Sequence, residues 1–202
     1  MSLCILANNP GNYVVLASDG RVTRNNDIVR DDFKKLTKIN EYVSIFTSGI
    51  VMCSEDLRNS IMLQAKGKNI EEIALIASKE SLRIHRQFLN DYPDYFKDND
   101  SAAMATLIAY FDVDKNESGY IKLCKSDDYS PHKVTTSTVQ TSGYMQDIAK
   151  DYFLKNYRKD NNPCITMHSV LKYINEIDKS VGGTMTLHVI SRNGTDTYQA
   201  VI

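Results

Sequence analysis

Apolar residues in this chain come in short runs, then in helical stripes, then in short runs again. Residues 3–7 (LCILA) and 13–17 (YVVLA) are apolar runs separated by Asn8-Asn9-Pro10-Gly11-Asn12, a dense turn signal, and together they predict a hairpin. Residues 35–39 and 42–47 repeat the pattern around Asn40-Glu41. From Ile50 the period lengthens. Ile50, Cys53, Leu57 and Ile61 recur at steps of three and four, as one face of a helix does. Lys66-Gly67-Lys68-Asn69 stops that helix, and Ile73, Ile76, Ala77, Ile84 and Phe88 carry a second stripe over residues 70–90. Residues 91–100 (DYPDYFKDND) read as an acidic, aromatic loop. Strand-type runs return at 104–111, 119–124 and 133–139. A third helix is expected over 142–157, with Met145, Ile148, Ala149, Tyr152 and Phe153 on one face. Asn161-Asn162-Pro163 separates it from a fourth, with Val170, Leu171, Ile174 and Ile177 inward. Runs at 184–191 and 197–201 flank the turn Arg192-Asn193-Gly194.

The order is strands, two helices, strands, two helices, strands. Such segregation indicates an α+β fold, since a doubly wound parallel sheet needs strands and helices to alternate. A four-layer αββα sandwich, with two antiparallel sheets face to face between helix pairs, buries every stripe. No linker or low-complexity segment interrupts the pattern, so residues 1–202 read as one domain.

Composition narrows the function classes. The chain has 202 residues, 42% of them hydrophobic, which is ordinary for a globular protein and unlike a disordered one. A formal charge of -1 gives no electrostatic footprint for nucleic acid or an anionic membrane. No apolar run approaches the length of a membrane span, and residues 3–7 have no basic flank of the kind a secretory signal carries. Cys4, Cys53, Cys124 and Cys164 lie far apart without a CxxC, and His85, His132, His168 and His188 are equally scattered. The pattern predicts neither a disulfide framework nor a metal site, and it fits a cytoplasmic protein. Asp112 to Asn116 begins like a calcium loop, but Glu117 stands where that loop needs glycine and Leu123 where it needs glutamate. It reads as a hairpin turn. Gly182-Gly183 reads as a tight turn before a strand, and no nucleotide-binding glycine pattern occurs, so no cofactor is expected.

The segment Val14-Val15-Leu16-Ala17-Ser18-Asp19-Gly20-Arg21-Val22-Thr23 carries the chemistry. An apolar strand runs into Asp19; Lys35 follows 16 residues later at the start of another strand, and Gly49 follows 14 further on, before a helix. A carboxylate and a lysine then sit at corresponding strand positions. A glycine N–H at a helix start is a ready oxyanion donor. Taken alone, Asp19 and Lys35 would read as an ordinary ion pair at a sheet end.

Taken together, Ala17-Ser18-Asp19, Thr23, Lys35 and Gly49 resemble the proteasome β-subunit family of N-terminal nucleophile hydrolases, including the bacterial ring proteases and the Anbu-type chains. The family has an ASD-type triplet, a Thr four positions later, then a lysine and a glycine at these spacings. Thr141-Ser142-Gly143 resembles its small–Ser–Gly turn, and Asp178 to Thr184 its Asp-x-x-Ser-Gly-Gly turn, with Val181 where the family has Ser. The resemblance covers essentially the whole chain. It implies the αββα sandwich and hydrolysis of peptide bonds by an N-terminal side chain whose own α-amine is the general base. Lys35 would activate the nucleophile, Asp19 would orient Lys35, and the Gly49 N–H would hold the oxyanion. Ser142 and Asp178 would hold the α-amine and its water. Val22, Thr23, Phe33, Thr47 and Val51 would bind substrate, and three apolar side chains among them imply an apolar or aromatic preference. The implied partners are a peptide or unfolded-protein substrate, further copies of the chain in a homo-oligomeric ring, and an ATPase unfoldase.

The family's nucleophile is usually Thr, and the ungapped register here falls on Leu3. Ser2, freed by removal of Met1, is one candidate; Met-Ser-Leu-Cys parallels an Anbu-type Met-Thr-Tyr-Cys opening. Cys4, freed by loss of residues 1–3, is the other, and a thiolate is the stronger nucleophile. Three readings stay open: a peptidase using Ser2, a non-catalytic ring-forming subunit, and a Cys4-dependent amidase acting on small molecules.

Overall fold

The computed structural model describes residues 2–24, 27–95, 104–158 and 162–202. Met1, Asn161 and residues 96–100 of the expected acidic loop lie outside them. The chain opens with β1 (Leu3–Asn9), β2 (Tyr13–Ser18), β3 (Val22–Arg24), β4 (Asp27–Arg30), β5 (Leu36–Asn40) and β6 (Val43–Gly49). Two helices follow, α1 (Val51–Gln64) and α2 (Ile70–Asp91). Next come β7 (Met104–Asp112), β8 (Glu117–Leu123), β9 (His132–Val134) and β10 (Thr138–Gly143). Helices α3 (Gln146–Asn156) and α4 (Pro163–Ile177) precede β11 (Thr184–Ser191) and β12 (Gly194–Val201).

One five-stranded antiparallel sheet has the order β10-β1-β2-β11-β12, and the other β5-β6-β7-β8-β9. Side chains alternate across each strand and so sort into three apolar layers. Leu3, Ile5 and Ala7 of β1 pack with Ala149, Phe153, Val170 and Leu171 of α3 and α4. Cys4 and Leu6 point the other way and meet Phe46, Leu107 and Phe111 of the second sheet. Ile45, Met104 and Ile108 face Leu57, Ile61, Ile73 and Ala77 of α1 and α2. The expected αββα sandwich is thus the observed one. Its inner strands are covered on both faces, which is why they read as unbroken apolar runs rather than as alternations.

Several expectations need correction. The run at 133–139 is two strands in different sheets, β9 beside β8 and β10 beside β1. Ser142 and Gly143 therefore close a strand instead of opening a helix, because the free edge of β1 takes Thr138–Gly143 in register from Asn8 to Leu3. Helix α3 begins only after Met145, whose φ is 56°. Ile148 and Ile177, expected inward, are 43% and 49% exposed. The hairpin of β3 and β4 carries no alternating apolar signal, and its β4 residues are all exposed.

His188 of β11 and Ser44 of β6 join the two sheets, Nδ1 to Oγ at 3.0 Å, in a buried setting. Burial, reinforced by the charge of Lys38, pushes the His188 imidazole down to about 4. The unfolded chain holds its proton up to an ordinary value of about 6.5, so between pH 4 and 6.5 the unfolded state binds more protons. Stability is therefore expected to fall as pH drops through that window, by up to about 3 kcal/mol from this group. Urea midpoints at several pH values check this, and His188→Gln should flatten the slope between pH 6.5 and 4.

Candidate active site

Asp19 is the residue after β2, and Lys35 the residue before β5. Lys35 Nζ donates to both carboxylate oxygens of Asp19 at 2.8 Å and to the Arg21 carbonyl at 2.7 Å. Their side chains are 2% and 0% exposed, so this is a buried pair. A buried carboxylate needs its remaining lone pairs filled. Asp19 accepts from the backbone N–H groups of Leu3 at 2.9 Å, Arg21 at 3.3 Å and Gly182 at 3.4 Å. One carboxylate thereby fastens the start of β1, the turn after β2 and the turn before β11. Burial pulls the Lys35 ammonium below its ordinary value, and the charge of Asp19 opposes the shift.

A cavity of about 660 Å³ opens beside Lys35. Ser2, Val22, Thr23, Phe33, Lys35, Thr47, Gly49 and Val51 all line it. Eight residues singled out on the sequence, spread over nearly fifty positions, thus share one wall. Ser2 has the parity of Cys4 and Leu6, which face the second sheet, whereas Leu3 packs against the helices. Its parity thus turns Leu3, the ungapped match, away from the cavity that Ser2 lines. Gly49 ends β6 with φ 112°, a conformation that a side chain would strain.

The remaining candidates stand behind this wall. Ser142 pairs with Cys4 across β10 and β1, and Gly143 pairs with Leu3. A Cβ on Gly143 would come within 2.0 Å of the Ser2 carbonyl oxygen, so only glycine fits there. Asp178 follows α4 and lies outside the cavity lining, but Tyr144 links it to Ser2. The Tyr144 N–H donates to the Ser2 carbonyl at 2.7 Å, and its hydroxyl to Asp178 Oδ2 at 2.9 Å. The Ser180 N–H on Asp178 Oδ1, at 2.7 Å, is the first cause holding that carboxyl below its ordinary value. Val181 is fully buried among the apolar side chains of α3 and α4. Cys4 is likewise fully buried between the sheets. Burial first, then the charge of Asp19, pushes its thiol well above the ordinary value.

Four side chains escaped the sequence reading. Tyr144 is one. Arg21 grips Asp31 with Nε at 2.5 Å and Nη2 at 3.2 Å, and its Nη1 reaches the Lys179 carbonyl at 2.7 Å, tying the turn after β2 to the end of α4. Ser54 lines the cavity, and Arg58 lies behind Thr47 with Nη1 on its Oγ1 at 2.5 Å. The spacing Val51, Ser54, Arg58 along α1 was the available signal, since such residues share a helix face.

A four-layer αββα sandwich of two antiparallel sheets is the fold of the N-terminal nucleophile hydrolase class, and here a buried lysine–carboxylate pair lies beside the start of its first strand. The family model for proteasome subunits matches residues 2–190, and the chain belongs to the proteasome subunit family. No curated protein matches the chain. Membership points to a proteasome-like role, with hydrolase chemistry and ring assembly as the family's general character. Among the described residues, no helix is long and apolar enough to cross a membrane.

Proposed function

We propose that the chain is a cytoplasmic, proteasome-like peptidase whose nucleophile is Ser2, exposed as the first residue once what precedes it is removed. The observation that carries this reading is that Ser2, Lys35 and Gly49 line one cavity, with Lys35 held by Asp19. Ser2 Oγ attacks the scissile carbonyl carbon and passes its proton, directly or through a water, to its own α-amine. Such an amine has an ordinary pKa of about 7.7–8.0 and is partly neutral near pH 7. The Lys35 charge favours the developing alkoxide and disfavours a protonated amine beside it. The Gly49 N–H donates to the oxyanion. Collapse returns the proton to the leaving amine, and water then hydrolyses the Ser2 ester by the same route. Ser142 and Asp178 support the α-amine, and Tyr144, bonded to both the Ser2 carbonyl and Asp178, fixes that carboxylate relative to Ser2. The backbone at Thr23 and Gly49 takes the peptide as an added strand.

The ring reading draws support from apolar side chains left in solvent on the outer helices, among them Leu63 at 84%, Leu75 at 55% and Ile165 at 68% exposure. A chambered ring would take unfolded chains, with an ATPase unfoldase as the partner that feeds it. A second reading, a non-catalytic ring subunit, is favoured by one observation. At the ungapped register position Leu3 is buried, and its amide N–H is already taken by Asp19.

Mass spectrometry of the natively expressed N-terminus, with sedimentation of the same sample, separates the two. Ser2 as first residue in a species several times the chain mass is the expected result. A retained Met1 in that species favours the scaffold. A monomer alone at micromolar concentration overturns the ring.

A further inference from the structure

Among the described residues that line the cavity, the charge is one-sided. The charged ones among them are Arg24 and Lys35, both cations, and Lys35 is neutralised by Asp19. A third cation lies directly behind the wall. Arg58 is 6% exposed, its Nη1 donates to Thr47 Oγ1 at 2.5 Å, and its guanidinium sits 5.3 Å from the centre of the Phe33 ring. Thr47 and Phe33 both line the cavity. A guanidinium has five N–H donors. Among the described residues Arg58 has one hydrogen-bond acceptor and no carboxylate within salt-bridge distance, the acid acting on it being the exposed Glu55 on the same helix. Buried cations are ordinarily paired, because an uncompensated one is costly. One turn of α1 before Arg58, the Ser54 hydroxyl lines the same cavity, is buried at 3% exposure and has no hydrogen-bond partner among the described residues. Two incompletely satisfied polar groups on one helix face, beside one cavity, are what a site built for a ligand leaves open.

We propose that Thr47, Ser54 and Arg58 form the floor of a subsite for an acidic side chain of the substrate, and that Arg58 is the residue that selects it. Arg58 does not itself line the cavity, so its charge acts on a carboxylate there from behind Thr47, whose hydroxyl it polarises, and charge-assisted bonding of that kind favours an anion over its neutral isostere. The Thr47 hydroxyl, which accepts from Arg58, keeps its own proton to donate to the same carboxylate, and the Ser54 hydroxyl supplies another. Val22, Phe33 and Val51 then hold the methylene stem of a Glu or Asp side chain. The preference is acidic, in place of the apolar one that those three residues imply on their own.

The proposal rests on the peptidase reading for its ligand being a peptide, so binding and turnover are measured apart. Three fluorescein-labelled tetrapeptide amides, identical except for a last residue of Glu, Gln or Leu, are titrated by anisotropy into the Ser2→Ala protein. The Glu peptide should bind about tenfold more tightly than its Gln isostere, the usual scale of one charge-assisted pair. Arg58→Met should erase that ratio, and Arg58→Lys should restore part of it, which a merely structural arginine would not produce. Equal affinity for Glu and Gln overturns the proposal. So does a preference for Leu, an unchanged ratio in a folded Arg58→Met protein, or no binding of any peptide at millimolar concentration. Because the first ratio is read with Arg58 intact, failure of Arg58→Met to fold does not protect the proposal. Selective Glu binding with no cleavage of any of the three by the protein bearing a free Ser2 upholds the subsite and overturns the peptidase reading instead.

Discussion

Lys35→Ala is expected to reduce turnover by about 10²-fold or more. The ammonium is the positive charge beside the proposed nucleophile, and losing preorganised electrostatic stabilisation of that kind costs a few kcal/mol of barrier. The same change should also destabilise the fold. Lys35 and Asp19 are both buried, and removing the cation leaves a carboxylate with only backbone N–H groups to hold it. Breaking a buried pair from one side costs about 3–5 kcal/mol. Activity loss alone could therefore report unfolding. Lys35→Met combined with Asp19→Asn removes both charges and leaves an amide oxygen for the Leu3 N–H. This double variant should regain most of the lost stability in urea titrations while remaining inactive. A double variant that recovers turnover along with stability would show that Lys35 only holds the structure.

The second large effect concerns the nucleophile. Ser2→Ala, in a chain processed to that residue, should lose turnover to background, whereas Cys4→Ala should keep most of it. Ser2 lines the cavity, and Cys4 is sealed between the sheets with its thiol pushed towards the neutral form. Thiolate chemistry at Cys4 would need loss of the residues before it and relief of that burial. Cys4→Ala should cost about 1 kcal/mol of stability as a small buried apolar truncation. The reverse outcome, with Cys4→Ala inactive and Ser2→Ala active, would move the nucleophile to Cys4. Full activity in both variants with Met1 retained would remove N-terminal nucleophile catalysis from this protein.

Much of this architecture was legible along the chain because its signals are local. The turn at Asn8 to Asn12 and the apolar runs beside it specify the β1–β2 hairpin through neighbouring residues alone. The change of period at Ile50 specifies α1 in the same way, and Ile73 to Phe88 specify α2. The spacing of Asp19, Lys35 and Gly49 was informative because each stands where a strand ends or begins. Their separation in sequence therefore maps onto fixed strand ends.

Contacts formed between distant segments were decided only in three dimensions. Residues 133–143 look like one strand and a helix start, yet they divide between two sheets because β1 offers a free edge. No pattern within those residues encodes an edge supplied more than a hundred positions earlier. The parity that points Leu3 into the helices and puts Ser2 at the cavity is likewise a property of the packed sheet. Hydrophobicity alone reads Leu3 and Cys4 as equivalent apolar residues. Tyr144 acquires its place only because β10 brings it to the Ser2 carbonyl and α4 brings Asp178 to its hydroxyl. Arg58 is the sharpest case. In sequence it is a cation on an amphipathic helix, which ordinarily faces water. Packing α1 on the second sheet instead buries it against Thr47 and Phe33, and a solvated surface charge becomes a candidate determinant of what the cavity accepts. The sequence by itself determined the elements, the layer order and the strand ends that carry the lysine and the carboxylate, because those follow from local periodicity. Which side chains share the cavity, which are sealed away and what charge it presents depended on burial and dielectric, and these exist only once the sheets and helices have closed on one another.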